Sequence, residues 1–339
     1  MVGPRRSSRA VRSNRAADQY ATQIIERVVG LAAAPELIVP SRRSREAQAL
    51  RRAYRSHDTA TLFDALMGNF VFQGVSDRVA SDYLDRHGQL HHRDLAAALE
   101  AGPTCPKLQS HWSFHRCGYR KSGLTCSEPL HIGQCPLPRH RQRNGRLNQT
   151  GYALFLFTRD IAGGDLAKWI NSRVGRDRPI STRDRDALIE PLKNVYGISD
   201  KVTAMALSQL LMTVGRVGGR LFRVGASMIV VDTLVHNFLH RTGILKRHRA
   251  EHAFGAGCYQ PGGCADIIRR AADHIDARPY GCGFPRSFPR LIQHAIWRYC
   301  AADALNICNG NRIDDRRRCQ NRQCQLRPHC ARVTLNNIK

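Results

Sequence analysis

Apolar residues in this chain recur at the spacing of helix faces and show no sustained alternation, which argues against a β architecture. Ile24, Ile25, Val28, Val29 and Leu31 share one side of a helix that stops near Pro35. Similar patterns predict helices over 43–55, 59–69, 76–87 and 91–100, with Asp58 and Ser76 as N-caps. The pattern breaks at 102–150, where Cys, His, Pro and Arg crowd together as an inserted loop region. It resumes at Gly151 and continues through 183–195 and 201–213. A glycine-punctuated stretch, Gly215 to Gly225, precedes the apolar run Met228–Val231 and a helix starting near Asp232. A last long helix is expected over 287–307, followed by a cysteine-rich tail. Residues 1–17 hold five Arg and no acid and read as a disordered basic arm. The expected fold is mostly α.

Charge narrows the partner. Lys and Arg total 53 against 27 Asp and Glu, a formal net charge of +26. Each phosphate that a cation neutralises releases counterions, so a polyanion such as nucleic acid is the natural partner. Only seven of the basic residues are Lys, so a general bias toward Arg is the plainer alternative. No apolar run approaches the length of a membrane span. The N-terminus is basic without an apolar core, unlike a secretory signal, so the expected location is cytoplasmic. In that setting the twelve Cys point to metal binding more than to disulfides.

Cys308, Cys319, Cys324 and Cys330 are spaced C-x10-C-x4-C-x5-C. Four thiolates in a loop-rich tail suit a [4Fe–4S] cluster or, alternatively, a structural Zn. Neighbouring Arg317, Arg318 and Arg322 are candidates for phosphate contact. Cys105, Cys117, Cys126 and Cys135, together with His111, His115, His131 and His140, make the 102–150 insertion a candidate second metal site. Its run from Arg139 to Gln149 is basic and amide-rich. There Arg143 and Arg146 are candidate DNA contacts, or simply a solvated face. Cys258, Cys264, Cys282 and Cys300 look scattered, the last two as buried structural thiols.

Residues 192–204 join two helical patterns through a tight turn in which Gly197 can adopt left-handed dihedrals. Backbone N–H groups from Gly197 through Ser199 to Lys201 open the second helix, where free donors and the helix dipole favour a phosphate. Thirty-one residues after Lys201 comes Asp232, at the head of another helix. It reads as an N-cap, or as a carboxylate able to stabilise an oxocarbenium ion developing at a sugar C1′. One side chain can do both.

The segments GISDKVTA (197–204) and VVDTLVHNFLHRTGI (230–244) resemble the hairpin and catalytic segment of the helix-hairpin-helix DNA glycosylases, especially the endonuclease III branch. LFDALM (62–67), FQGVSDRVA (72–80) and the helix ending in Ala295–Tyr299 extend the resemblance, which covers 58–100 and 150–330. It implies a two-lobed fold with inserted loops and a C-terminal Cys cluster. One lobe is a helical barrel of 58–214 carrying the insertion and the hairpin 192–204. The other combines 21–57 with 215–330 and carries the catalytic Asp and the metal-cluster tail. It further implies Asp232 as the essential carboxylate and Lys201 as the Schiff-base lysine of an abasic-site lyase, activated by burial. Gly197 and Ser199 would hold phosphate, Gln73 would wedge the duplex, and the four C-terminal Cys would ligate [4Fe–4S]. The partner would be double-stranded DNA, bound by a monomer that flips out the target base. Tyr196 and Ser199 stand where the family usually has Pro and a second Gly. The inserted loops suggest a bulky substrate, for example a hypermodified cytosine of phage DNA. Two other readings stay open: a non-catalytic helix-hairpin-helix DNA-binding module, and a zinc-stabilised RNA-binding protein.

Overall fold

The computed structural model describes residues 8–41, 44–70, 77–120, 122–139, 145–175, 182–308 and 316–335. Side chains are not described at 8–14, 77, 145–147 and 182. In chain order the α-helices are α1 (Ser8–Ala32), α2 (Arg45–Arg55), α3 (Thr59–Phe70), α4 (Asp77–His87), α5 (His92–Glu100), α6 (His111–Phe114), α7 (Gly145–Asp160) and α8 (Leu166–Arg173). They continue with α9 (Thr182–Leu192), α10 (Asp200–Val214), α11 (Arg220–Ala226), α12 (Thr233–Arg241), α13 (Ile244–His248), α14 (Cys264–His274) and α15 (Pro289–Cys300). Among the described residues there is no named strand, only an isolated bridge between Arg120 and Thr125. The mostly α expectation holds. No helix among these residues is long and apolar enough to cross a membrane.

The chain divides into two compact units, Met1–Val39 with Ala226–Lys339, and Pro40–Gly225. In the first, α1 lays a stripe of Ala21, Ile24, Ile25, Val28, Val29 and Ala32 against α13, α14 and α15. These positions recur every three or four residues and are all buried, which is what lets a long helix order against its neighbours. Arg270 on α14 donates to Asp18 on α1 at 2.9 Å, and Arg298 on α15 donates to the Ala32 carbonyl at 2.7 Å. α15 starts with Pro289 in its first turn and packs on both α12 and α14.

In the second unit α10 is buried over most of its circumference, from Val202 to Thr213, and packs on α2, α3 and α9. Such a helix can only sit inside a bundle. Side-chain caps set several starts. Ser44 accepts from the Ala47 N–H, Asp165 from the Lys168 N–H at 2.8 Å, and Asp58, as expected, from the Thr61 N–H at 3.1 Å.

Several boundaries differ from the sequence expectation. α1 begins at Ser8, so residues 8–17 are helical and not part of a disordered arm. α2 belongs to the second unit, where Arg51 donates to the Thr213 carbonyl at 2.7 Å and Tyr54 to Asn171 at 2.9 Å. The division therefore falls after residue 39, not after 57. The insertion is shorter at its end, because α7 starts at Gly145, and inside it α6 and short 3-10 turns are formed. The glycine-punctuated stretch contains α11, and α15 stops at Cys300, where Ala301 turns extended. Ser76, the expected cap of α4, lies outside the described residues.

Candidate metal centre

His236, His252, Cys258 and Cys264 bring their donor atoms within 4.8 Å of one another and form a group that could hold a metal ion. Three elements deliver them. His236 sits one turn into α12, whose register is set by Asp232: its carboxylate accepts from the Val235 N–H at 2.9 Å and its carbonyl from the His236 N–H at 3.0 Å. Cys258 lies in a 3-10 turn at Ala256–Tyr259, and Cys264 is the first residue of α14. His252 precedes that turn.

The loop that joins these residues, HAFGAGCYQPGGC, is compressed by its glycines. A Cβ on Gly263 would lie 2.2 Å from the Gly257 carbonyl oxygen, so no larger residue can let the two thiols approach in this way. Cys258 N–H donates to the Gly255 carbonyl at 3.0 Å and Gly263 N–H to the Gln260 carbonyl at 2.9 Å, which closes two tight turns.

Cross-distances are short. His236 Nδ1 is 3.4 Å from Cys264 Sγ and 3.5 Å from Cys258 Sγ, and His252 Nε2 is 3.5 Å from Cys264 Sγ. His252 turns its other nitrogen, Nδ1, to the Ala250 carbonyl at 2.7 Å. A backbone acceptor there keeps the proton on Nδ1 and leaves the Nε2 lone pair facing the thiols. His236, Cys258 and Cys264 are buried, and His252 is half-buried. The hydrogen bond between the two thiols lowers the Cys258 pKa, which His236 lowers further, and together with burial raises that of Cys264.

Cys308, Cys319, Cys324 and Cys330 occupy the same unit but are disposed differently. They line one small cavity together with Phe238, Tyr299 and the buried Arg241. Tyr299 Oη lies 3.3 Å from Cys324 Sγ, and Cys330 Sγ is 3.7 Å from the Arg241 carbonyl. Burial, and after it the proximity of Cys308, Cys324 and Cys319, push the Cys330 thiol up to about 11. Arg317, Arg318 and Arg322 are exposed on this tail.

In the other unit the insertion gathers its own four thiols. Burial, and after it the charges of Cys117, Cys105 and Cys126 in that order, raise Cys135 to about 11. Gln149 on α7 donates to the Tyr119 carbonyl at 3.1 Å, and Asn148 to the Leu137 carbonyl at 3.0 Å. These two buried amides tie the cysteine loop to a helix.

The remaining expected residues are placed as follows. Asp232 is half-buried below the buried run Met228–Val231, and its charge opposes the effect of burial on Arg290, whose pKa burial holds down to about 10. Gly197 has φ +79°, the left-handed turn expected of it. Ser199 is the N-cap of α10, with its carbonyl accepting from the Thr203 N–H at 2.9 Å, though its side chain makes no capping bond. Lys201, in the first turn of α10, is half-buried and not enclosed as expected. It belongs to the second unit and Asp232 to the first. Gln73, Arg143 and His140 lie outside the described residues, and of Arg146 only the backbone, in the first turn of α7, is described.

Two sequence readings are corrected. Cys258 and Cys264 are not scattered; they face each other across the group. Cys282 is exposed, while Cys300 is buried as expected. The signal for the group was the equal spacing His252-x5-Cys258-x5-Cys264, but its fourth member, His236, sits on another helix. Comparison with known protein families, curated proteins and solved structures finds no match.

Proposed function

We propose that the protein is a DNA glycosylase of helix-hairpin-helix type, acting as a monomer on double-stranded DNA and using Asp232 as its catalytic carboxylate. The reading rests on Asp232, a carboxylate aimed at the first turn of α12 beneath a buried apolar run, in a chain of net charge +26. Two features support it. Gly197 takes the left-handed turn between α9 and α10, and the unit that carries Asp232 is assembled from both ends of the chain.

In this mechanism the target nucleotide leaves the stack, because the glycosidic bond cannot be approached within it. As that bond breaks, the base departs with the bonding electrons and positive charge grows on the sugar. Asp232 stabilises that charge and orients the attacking water. With Lys201 as nucleophile in place of water, its amine displaces the base at C1′. The C1′–O4′ bond opens to an imine as O4′ takes up a proton, and loss of a C2′ proton then expels the 3′ phosphate. Cys308, Cys319, Cys324 and Cys330 would hold a [4Fe–4S] cluster, since all four line one cavity, whose wall also includes Arg241. The cluster would order the tail. The inserted loops favour a bulky modified base, such as a hypermodified cytosine of phage DNA, as substrate.

The test is a panel of modified duplexes read as abasic-site formation, with Asp232→Asn beside the parent. The expected result is base release that falls at least 100-fold in the variant while DNA affinity persists. No release from any duplex, with DNA binding intact in both proteins, would favour a non-catalytic DNA-binding module. The N-cap role of Asp232 is the observation on that side. Borohydride trapping of a Lys201-dependent adduct separates the lyase from a purely hydrolytic enzyme.

A further inference from the structure

We infer that His236, His252, Cys258 and Cys264 form a closed, four-coordinate structural site for a single Zn2+ ion, cross-linking α12, the 256–259 turn and α14. The inference does not depend on the glycosylase reading.

Distances decide between a single ion and a cluster. Zn–S bonds of about 2.3 Å and Zn–N bonds of about 2.0–2.1 Å in a tetrahedron separate neighbouring donors by about 3.3–3.8 Å. The three nitrogen–sulfur distances here are 3.4, 3.5 and 3.5 Å, and all four donors fall within 4.8 Å. An iron–sulfur centre with two His and two Cys places the His pair on one iron and the Cys pair on the other. The inorganic core then separates imidazole from thiolate. Here each thiol touches an imidazole nitrogen, so only a point-like ion fits.

Ligand chemistry narrows the ion further. A tetrahedral set of two thiolates and two imidazoles matches zinc and is too soft for Mg2+ or Ca2+. Four protein ligands complete the shell, leaving no open position for water or substrate, so the site is structural and not catalytic. The outer contact is also in place, because the Ala250 carbonyl holds the His252 tautomer that presents Nε2.

The ion would do mechanical work on the loop. Residues 249–252, Gly257 and residues 260–263 form most of the wall of a cavity of about 630 Å³, completed by Asp18, His248 and Arg270. Few apolar side chains anchor that loop, since four of its thirteen residues from His252 to Cys264 are Gly. A metal cross-link supplies what packing does not. Tyr259, next to Cys258, carries the constraint onward: its hydroxyl accepts from the Val231 N–H at 2.9 Å, one residue before Asp232.

The experiment measures metal content of the purified full chain, compared with Cys264→Ser, and cobalt spectra of the parent and His252→Cys. The expected result is about one equivalent of zinc fewer per chain in Cys264→Ser. Cobalt-loaded His252→Cys should keep its metal but shift its ligand-field and thiolate charge-transfer bands toward those of a three-sulfur site. If Cys264→Ser does not fold, the His252→Cys spectrum decides. Zinc content unchanged by Cys264→Ser, or a cobalt spectrum unmoved by His252→Cys, would overturn the inference.

Discussion

The His2Cys2 group and the C-terminal cysteines lie in one unit and are both rich in thiols, yet their donors are arranged in opposite ways. In the first, two imidazoles converge with two thiols, and the hydrogen bond between Cys258 and Cys264 lowers the Cys258 thiol, with help from His236 and His252, while it and burial raise Cys264. In the second, four thiols line one cavity, and burial with mutual repulsion drives Cys330 up to about 11. In the insertion, burial and the neighbouring thiols likewise hold Cys135 near 11. Convergence of unlike donors prepares a point for one ion. A ring of like donors spread around a space is costly to ionise until a larger cationic centre enters it.

That contrast can be broken experimentally. The largest effect is expected from Cys324→Ser. It should abolish the visible iron–sulfur absorption and remove about four iron atoms per chain while leaving zinc at the parental level. Iron and zinc are measured together on one sample, and joint loss of both metals would show that the two centres are a single cooperative structure.

An intermediate effect concerns acid. His294, on the helix that packs against both α12 and α14, is buried and stacked on Trp297 at 5.5 Å. Burial holds its pKa near 3, with Arg290 and Arg298 adding to the effect. The unfolded chain, with a His pKa of about 6.5, takes up this proton first as pH falls. The stabilisation is therefore complete above about pH 6.5 and is lost progressively toward pH 3, on the order of 3 kcal/mol by pH 4.5. His294→Leu should flatten that part of the acid loss in urea titrations. If the variant loses as much as the parent, acid acts through release of metal from protonated ligands.

The smallest effect is expected from Tyr259→Phe, which removes the hydroxyl bonded to Val231 and should cost about 1 kcal/mol. Thermal melting would detect it with the zinc content unchanged. Under the glycosylase reading, the same variant should lower the rate of base release more than it weakens DNA binding, because Asp232 follows the tethered residue.

Much of the helical framework could be read along the chain. The stripe of α1 from Ile24 to Val29, the Asp58 cap and the left-handed Gly197 each follow from rules acting within a turn or two. The ends of elements were harder to read. α15 ends at Cys300, where the backbone turns extended, although Ala301 and Ala302 are good helix formers. α11 forms in a stretch whose glycines suggested none, with Gly225 close against the Ser208 carbonyl.

The candidate site divides along the same line. Asp232 and the cysteine tail were visible because a cap and a cysteine-rich run are local patterns. The His2Cys2 group was not, although His252, Cys258 and Cys264 are evenly spaced. Its fourth donor comes from α12, sixteen residues before His252. Spacing alone cannot say which helix face a loop will fold back upon.

The sequence by itself determined the helical class, the strong positive charge and the two obvious cysteine runs, since periodicity and composition act locally or additively. Only the tertiary structure decided which thiols meet imidazoles and which meet each other. That choice depends on packing: α1, α14 and α15 bury their apolar stripes together, and α14 thereby brings Cys264 to His236 on α12.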